Sequence, residues 1–65
     1  MSNDEIEEIK KRIEDLLKER EWITYSDLLK YMPYPANKIS IALTQLIKEN
    51  KISRRGRYFY YVRTV

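Results

Sequence analysis

The sequence predicts an α+β domain of three helices closed by a C-terminal two-stranded β-hairpin. Three observations predict it. Apolar residues recur at helical spacing through residues 2–20 and again through 36–50. Pro33-Tyr34-Pro35 sets a stiff break between two helical stretches. After Lys51 the chain turns to β-forming residues around its one glycine, Gly56.

The first helix opens at Ser2 or Asn3, and Ser2 with Glu5 has the spacing of a capping box. Ile6, Ile9, Ile13, Leu16 and Leu17 form its apolar stripe. Its other faces carry Glu7–Lys11, Glu8–Arg12 and Glu14–Lys18 at i,i+4, worth about 0.2–0.5 kcal/mol each. It reads as a scaffold helix with a solvated charged face.

Trp22-Ile23-Thr24 is a short extended piece, too brief for a hairpin of its own. Thr24 caps the second helix, with Asp27 as the reciprocal partner, and Leu28, Leu29 and Met32 are expected to face inward. Pro33 stops that helix, and Pro35 suits the start of the next, where a missing N–H does no harm.

The third helix, residues 36–50, carries an inward stripe of Ile39, Leu43, Leu46 and Ile47. At about 100° per residue, its outward face centres on Ile41, with Lys48, Asn37, Gln45 and Thr44 around it. A solvated face would carry Glu and Lys; this one mixes amides, a hydroxyl and a bare isoleucine. Asn50 is expected to end the helix in the left-handed conformation.

The hairpin turns at Arg55-Gly56, with positive φ at Gly56. A loop of those two residues pairs Arg54 with Arg57, Ser53 with Tyr58 and Ile52 with Phe59. Ile52, Phe59 and Tyr61 then share the inward face, and Tyr58 and Tyr60 the other, packed on Trp22 or partly exposed. Arg54, Arg55 and Arg57 gather at the tip with no acid in the hairpin to pair them. The six tyrosines and Trp22 are read mostly as packing residues, not as a stacking ladder for single strands.

Sixty-five residues make a single domain, 1–65, with room for one small core. Without cysteine or histidine the chain lacks a disulfide framework and the commonest metal ligands and general base. No catalytic residue, metal site, cofactor or small-molecule substrate is expected. Neither a membrane span nor a signal-peptide pattern is present, so an intracellular, cytoplasmic domain is expected. The charge is polar in its placement: residues 1–21 hold eight acids and five bases, residues 22–65 two acids and eight bases. Such a chain can orient itself on a polyanion.

The order helix, short strand, helix, tight turn, helix, hairpin resembles the winged helix-turn-helix family. The resemblance rests on Ile23 to Leu29, Ile39 to Leu46 and Lys51-Ile52, with Asn50 where the family usually has glycine. It implies a winged-helix fold and sequence-specific binding of double-stranded DNA, in a transcription-regulatory role, by a monomer or weak homodimer. Recognition helix 36–50 would enter the major groove, presenting Asn37, Lys38, Ser40, Ile41, Thr44 and Gln45 to the bases. Thr24, Tyr25, Ser26, Lys48, Arg54, Arg55 and Arg57 would hold phosphates, the wing 53–58 reaching the backbone or minor groove. Asn and Gln can pair with adenine, Lys with guanine, and the Ile41 and Thr44 methyls can pack on thymine.

Two other readings compete. A protein-interaction winged helix would use Ile41 and exposed tyrosines as an apolar patch. Left-handed DNA recognition fits poorly, because Ser40 and Thr44 stand where that subset has Asn and Tyr, and its Pro-x-Trp wing is missing. Tyr34 reads as a turn residue before a phosphate contact. The regularity of the first helix fits a designed sequence as well as a hyperthermophile's or its virus's.

Overall fold

The computed structural model describes the backbone of residues 2–63 and the side chains of residues 4–63. The expected Ser2–Glu5 cap involves a side chain outside the described residues. The elements run α1 (Ser2–Arg20), β1 (Trp22–Thr24), α2 (Tyr25–Tyr31), α3 (Ala36–Lys48), β2 (Ile52–Arg55) and β3 (Tyr58–Tyr61). This is the α+β fold of the winged-helix type expected from the sequence, with one addition. Trp22–Thr24 joins the hairpin as a third antiparallel strand, in the order β1-β3-β2. Its β-forming residues supply hydrogen-bond partners to an otherwise unpaired edge of β3.

The core lies where α1 and α3 pack over the inner face of the sheet. Ile6, Ile9, Ile13 and Leu17 of α1 are buried as their spacing predicts, with Leu16 half-buried at the edge. Leu28 and Met32 anchor α2, and Ile39, Ala42, Leu43 and Leu46 anchor α3. Two inward assignments fail. Leu29 is 37% exposed because the seven-residue α2 makes only about two turns and offers the core one side. Ile47 is 38% exposed, beyond the edge of the α3 stripe.

The helix ends follow local chemistry. Thr24 Oγ1 accepts the Asp27 N–H at 3.2 Å, as expected of a cap. Asn50 has φ 62°, Lys51 N donates to Leu46 O at 3.0 Å and Asn50 N to Ile47 O at 3.0 Å, a Schellman ending. Glu21 ends α1 in the same left-handed region, φ 75°, its N–H on Leu17 O at 2.7 Å.

The hairpin register differs from expectation. Ile52 pairs with Tyr61, Ser53 with Tyr60, Arg54 with Phe59 and Arg55 with Tyr58. The loop is therefore Gly56-Arg57, with positive φ at Gly56 alone of the two, the φ pattern of a II′ turn. Each arginine of β2 pairs across the strands with an aromatic residue, and the expected Arg54–Arg57 pairing does not form. Partners moved by two positions leave the faces unchanged, so Ile52 and Phe59 are still buried.

Charged groups tie the helices together more than they decorate α1. Glu8–Arg12 forms at 3.7 Å, but Lys11 pairs with Asp15 at 3.5 Å and Glu14 with Lys51 at 4.0 Å, in place of the expected Glu7–Lys11 and Glu14–Lys18. Lys10, 6% exposed, bonds Glu49 at 2.6 Å and Glu7 at 3.2 Å.

Candidate nucleic-acid interface

Around α3, at about 100° per residue, the outward side chains fall into three groups. Asn37, Ile41, Thr44 and Lys48 point away from the core, and all are exposed. Ser40 and Ile47 lie on the side toward the hairpin. Lys38 and Gln45 lie on the side toward α1, both half-buried, in line with Ala42 and Glu49. Lys38 Nζ is bonded to Glu5 of α1, which holds it off the outward face. The expected six-residue reading face is therefore wider than the surface α3 turns outward. Asn37, Ile41 and Thr44 occupy its centre.

Beside that face runs an open groove of about 680 Å3. The start of α2 lines it with Thr24, Tyr25 and Ser26, α3 with Ser40, Leu43, Thr44 and Ile47, and the hairpin with Arg54, Gly56, Arg57 and Phe59. Seven of the thirteen side chains expected to contact DNA meet there, from three separate elements. Leu43, Ile47 and Phe59 form an apolar floor that periodicity had assigned wholly to the core. For Ile47 the signal is its position, three residues after Thr44 and four after Leu43, on the border between inner and outer faces.

Hydrogen bonds preset the polar groups of the groove. Tyr25 Oη lies 3.0 Å from Ser40 Oγ, bridging α2 and α3. Thr44 Oγ1 donates to the Ser40 carbonyl at 2.9 Å, which occupies its hydroxyl and leaves its methyl to face outward. Thr24 Oγ1 accepts from the α2 backbone and keeps its own proton to donate. No acidic residue lines the groove. Among the described residues no carboxylate pairs with Arg54, Arg55 or Arg57. The groove is thus a concave, cation-bearing surface with hydroxyl donors, suited to a polyanion.

Arg55 and Tyr34 lie outside the groove. Arg55 alternates to the outer face of the sheet, beside Tyr58 and Tyr60. Tyr34 donates to Glu8 Oε2 at 2.5 Å, with the Arg12 guanidinium 5.9 Å from its ring, as a turn tyrosine would. That bond to Glu8, helped by partial burial, raises the Tyr34 phenol above its ordinary pKa.

The fold and groove define an α+β protein of the winged-helix type with an open cationic cleft beside its third helix. No family model and no curated protein sequence matches the chain. A solved structure does: the solution structure of a DNA binding protein from Sulfolobus islandicus is 59% identical to it, with a TM-score of 0.80. The match covers 86% of this chain and 95% of that one, and the chain belongs to the same family.

Proposed function

We propose that the chain is a winged helix-turn-helix domain, residues 1–65, that binds double-stranded DNA with sequence preference inside the cell. In this reading α3 lies in the major groove with Asn37, Ile41 and Thr44 toward the bases. Thr24, Tyr25, Ser26 and Lys48 contact one side of the phosphate backbone, and Arg54 and Arg57 reach the backbone or minor groove from the wing. Lys38 and Gln45 border the reading face from the α1 side, and Ser40 acts through Tyr25. The protein works as a monomer or weak homodimer in transcription regulation.

The observation that carries the reading is the acid-free groove where three elements bring hydroxyls and unpaired arginines together. The DNA-binding protein at 59% identity supports it independently. Selection from random duplexes, followed by salt titration of the selected site, tests it. The expected result is a defined motif under α3 and a linear fall of log K with log salt. Equal affinity for all duplexes removes the sequence preference, and affinity indifferent to salt removes DNA.

A second reading rests on Ile41, 45% exposed at the centre of α3. A protein partner could cover it, together with exposed tyrosines. Such an apolar interface would respond little to salt, which separates the two readings.

A further inference from the structure

Three other tyrosines of this chain have a cation over the ring: Arg20 at 4.5 Å from Tyr31, Lys18 at 5.2 Å from Tyr61 and Arg12 at 5.9 Å from Tyr34. The outer face of the sheet is different. There Trp22, Tyr58 and Tyr60 stand 54%, 47% and 37% exposed, and among the described residues no cation lies over them. Trp22 and Tyr58 meet edge to face, 4.8 Å between centroids at 80°. Trp22 is also the direct cross-strand neighbour of Tyr60, and Arg55 of Tyr58. These side chains, with Glu21, line an open hollow of about 530 Å3 on the side of the sheet away from the core.

We infer that this face binds single-stranded DNA, by stacking unpaired bases on Trp22, Tyr58 and Tyr60 while Arg55 holds the phosphates. Adjacent, partly exposed rings with no cation over them and an arginine without a carboxylate partner match what unpaired bases on a charged backbone require. A buried apolar partner would desolvate Arg55, which no carboxylate bonds among the described residues, whereas a phosphate satisfies it. The two faces of the wing also connect. Arg54 and Arg57 line the groove, Arg55 the aromatic face, and all three sit within four residues at one hairpin tip. A strand leaving the groove side therefore passes the cationic tip onto the rings. The inference does not depend on α3 reading a duplex.

Trp22 is the only tryptophan, so its fluorescence reports on this face directly. The full chain is titrated with an oligo(dT) of about 12 nucleotides. The expected result is saturable quenching, weakened about fivefold or more in Tyr60→Ala, with duplex affinity unchanged. Tyr60→Ile keeps a β-forming residue without the ring and must weaken oligo(dT) alike, which guards against a folding artefact. Absence of quenching, or undiminished affinity in both variants, overturns the inference. So does displacement of oligo(dT) by an equimolar duplex, which would place it in the groove. Tighter binding of oligo(rU) overturns the assignment to DNA. A dimer in sedimentation that Tyr60→Ala dissolves assigns the face to a second copy and overturns it as well.

Discussion

Tyr25 Oη and Ser40 Oγ, 3.0 Å apart, tie the first residue of α2 to the groove side of α3. The contact sets the angle between the two helices at the point where both face the groove. Tyr25→Phe removes the bond and little packing. As an exposed neutral hydrogen bond, it should cost under about 1 kcal/mol of stability, read by urea denaturation. Duplex affinity should fall by a similar factor on every sequence, since the loss is one of orientation. A changed base preference in Tyr25→Phe would show Tyr25 itself to be a reader.

Thr44 separates hydroxyl from methyl chemistry. Its hydroxyl is committed to the Ser40 carbonyl at 2.9 Å, so only the methyl is free to meet a base. Thr44→Ser keeps the hydroxyl and loses the methyl; Thr44→Val does the reverse. Preference for a thymine under α3 should fall about fourfold in Thr44→Ser, the value of about 0.8 kcal/mol for one buried carbon. Thr44→Val should retain it. Competition between duplexes differing at one base pair measures both, and the opposite order would assign the contact to the hydroxyl.

What could be read from the sequence was local. The Thr24 cap, the Pro33 stop and the left-handed Asn50 each depend on a few neighbouring residues, and each is present. The outward face of α3 was legible because period 3.6 placed Asn37, Ile41 and Thr44 there, and all three are exposed. The hairpin register was not, since pairings that differ by two positions leave every residue on the same face. Only the turn distinguishes them, and Gly56 is acceptable at either loop position. Lys38–Glu5 and Lys10–Glu49 span 33 and 39 residues and arise only from how α1 crosses α3. That Tyr58 and Tyr60 share an outer, partly exposed face with Trp22 was legible from alternation, but that β1 pairs with β3 to set Trp22 directly opposite Tyr60 was not.

Glu5 restrains a cation next to the reading face. Lys38 bonds to it across the α1–α3 boundary instead of extending outward. Glu5→Gln frees that ammonium and removes a negative charge beside the duplex. Affinity for all duplexes should rise and the salt slope should steepen by up to about one unit. The pair is partly exposed at both ends, so stability should fall by no more than about 1 kcal/mol. An unchanged slope would mean Lys38 stays out of reach of phosphate even when free.

The Lys10–Glu49 pair makes stability depend on pH at both extremes. The bond to Lys10 lowers the Glu49 carboxyl below its ordinary pKa, and the bond to Glu49 raises the Lys10 ammonium above its own despite burial. For Glu49 the contribution is complete above the ordinary carboxylate pKa and is lost as pH falls through the lowered folded value. For Lys10 it is complete below the ordinary ammonium pKa and is lost as pH rises through the raised folded value. Glu49→Gln should therefore flatten the acid arm of Tm against pH while the wild-type chain loses stability there. An acid arm as steep as wild type would assign it to other carboxylates.

Glu21 is the position where the chain stores backbone strain without help from its residue type. It ends α1 at φ 75°, a conformation that costs an L-residue about 1–2 kcal/mol and glycine nothing. Glycine adds freedom to the unfolded chain, which offsets part of that gain. Glu21→Gly should therefore stabilise the protein by up to about 1 kcal/mol in urea denaturation. Asn50, at φ 62° in the equivalent place after α3, already tolerates the region, so Asn50→Gly should change little. Gly56 gives the reverse case: its φ is 62°, and a Cβ there meets nothing within 4 Å. Gly56→Ala should cost about 1 kcal/mol through backbone strain alone, and Gly56→Asn less. If Glu21→Gly destabilised the chain, the Glu21 side chain would have to contribute more than the strain it imposes. Since the residue is exposed, that contribution would lie beside Trp22 on the outer face of the sheet, where Glu21 borders the aromatic hollow.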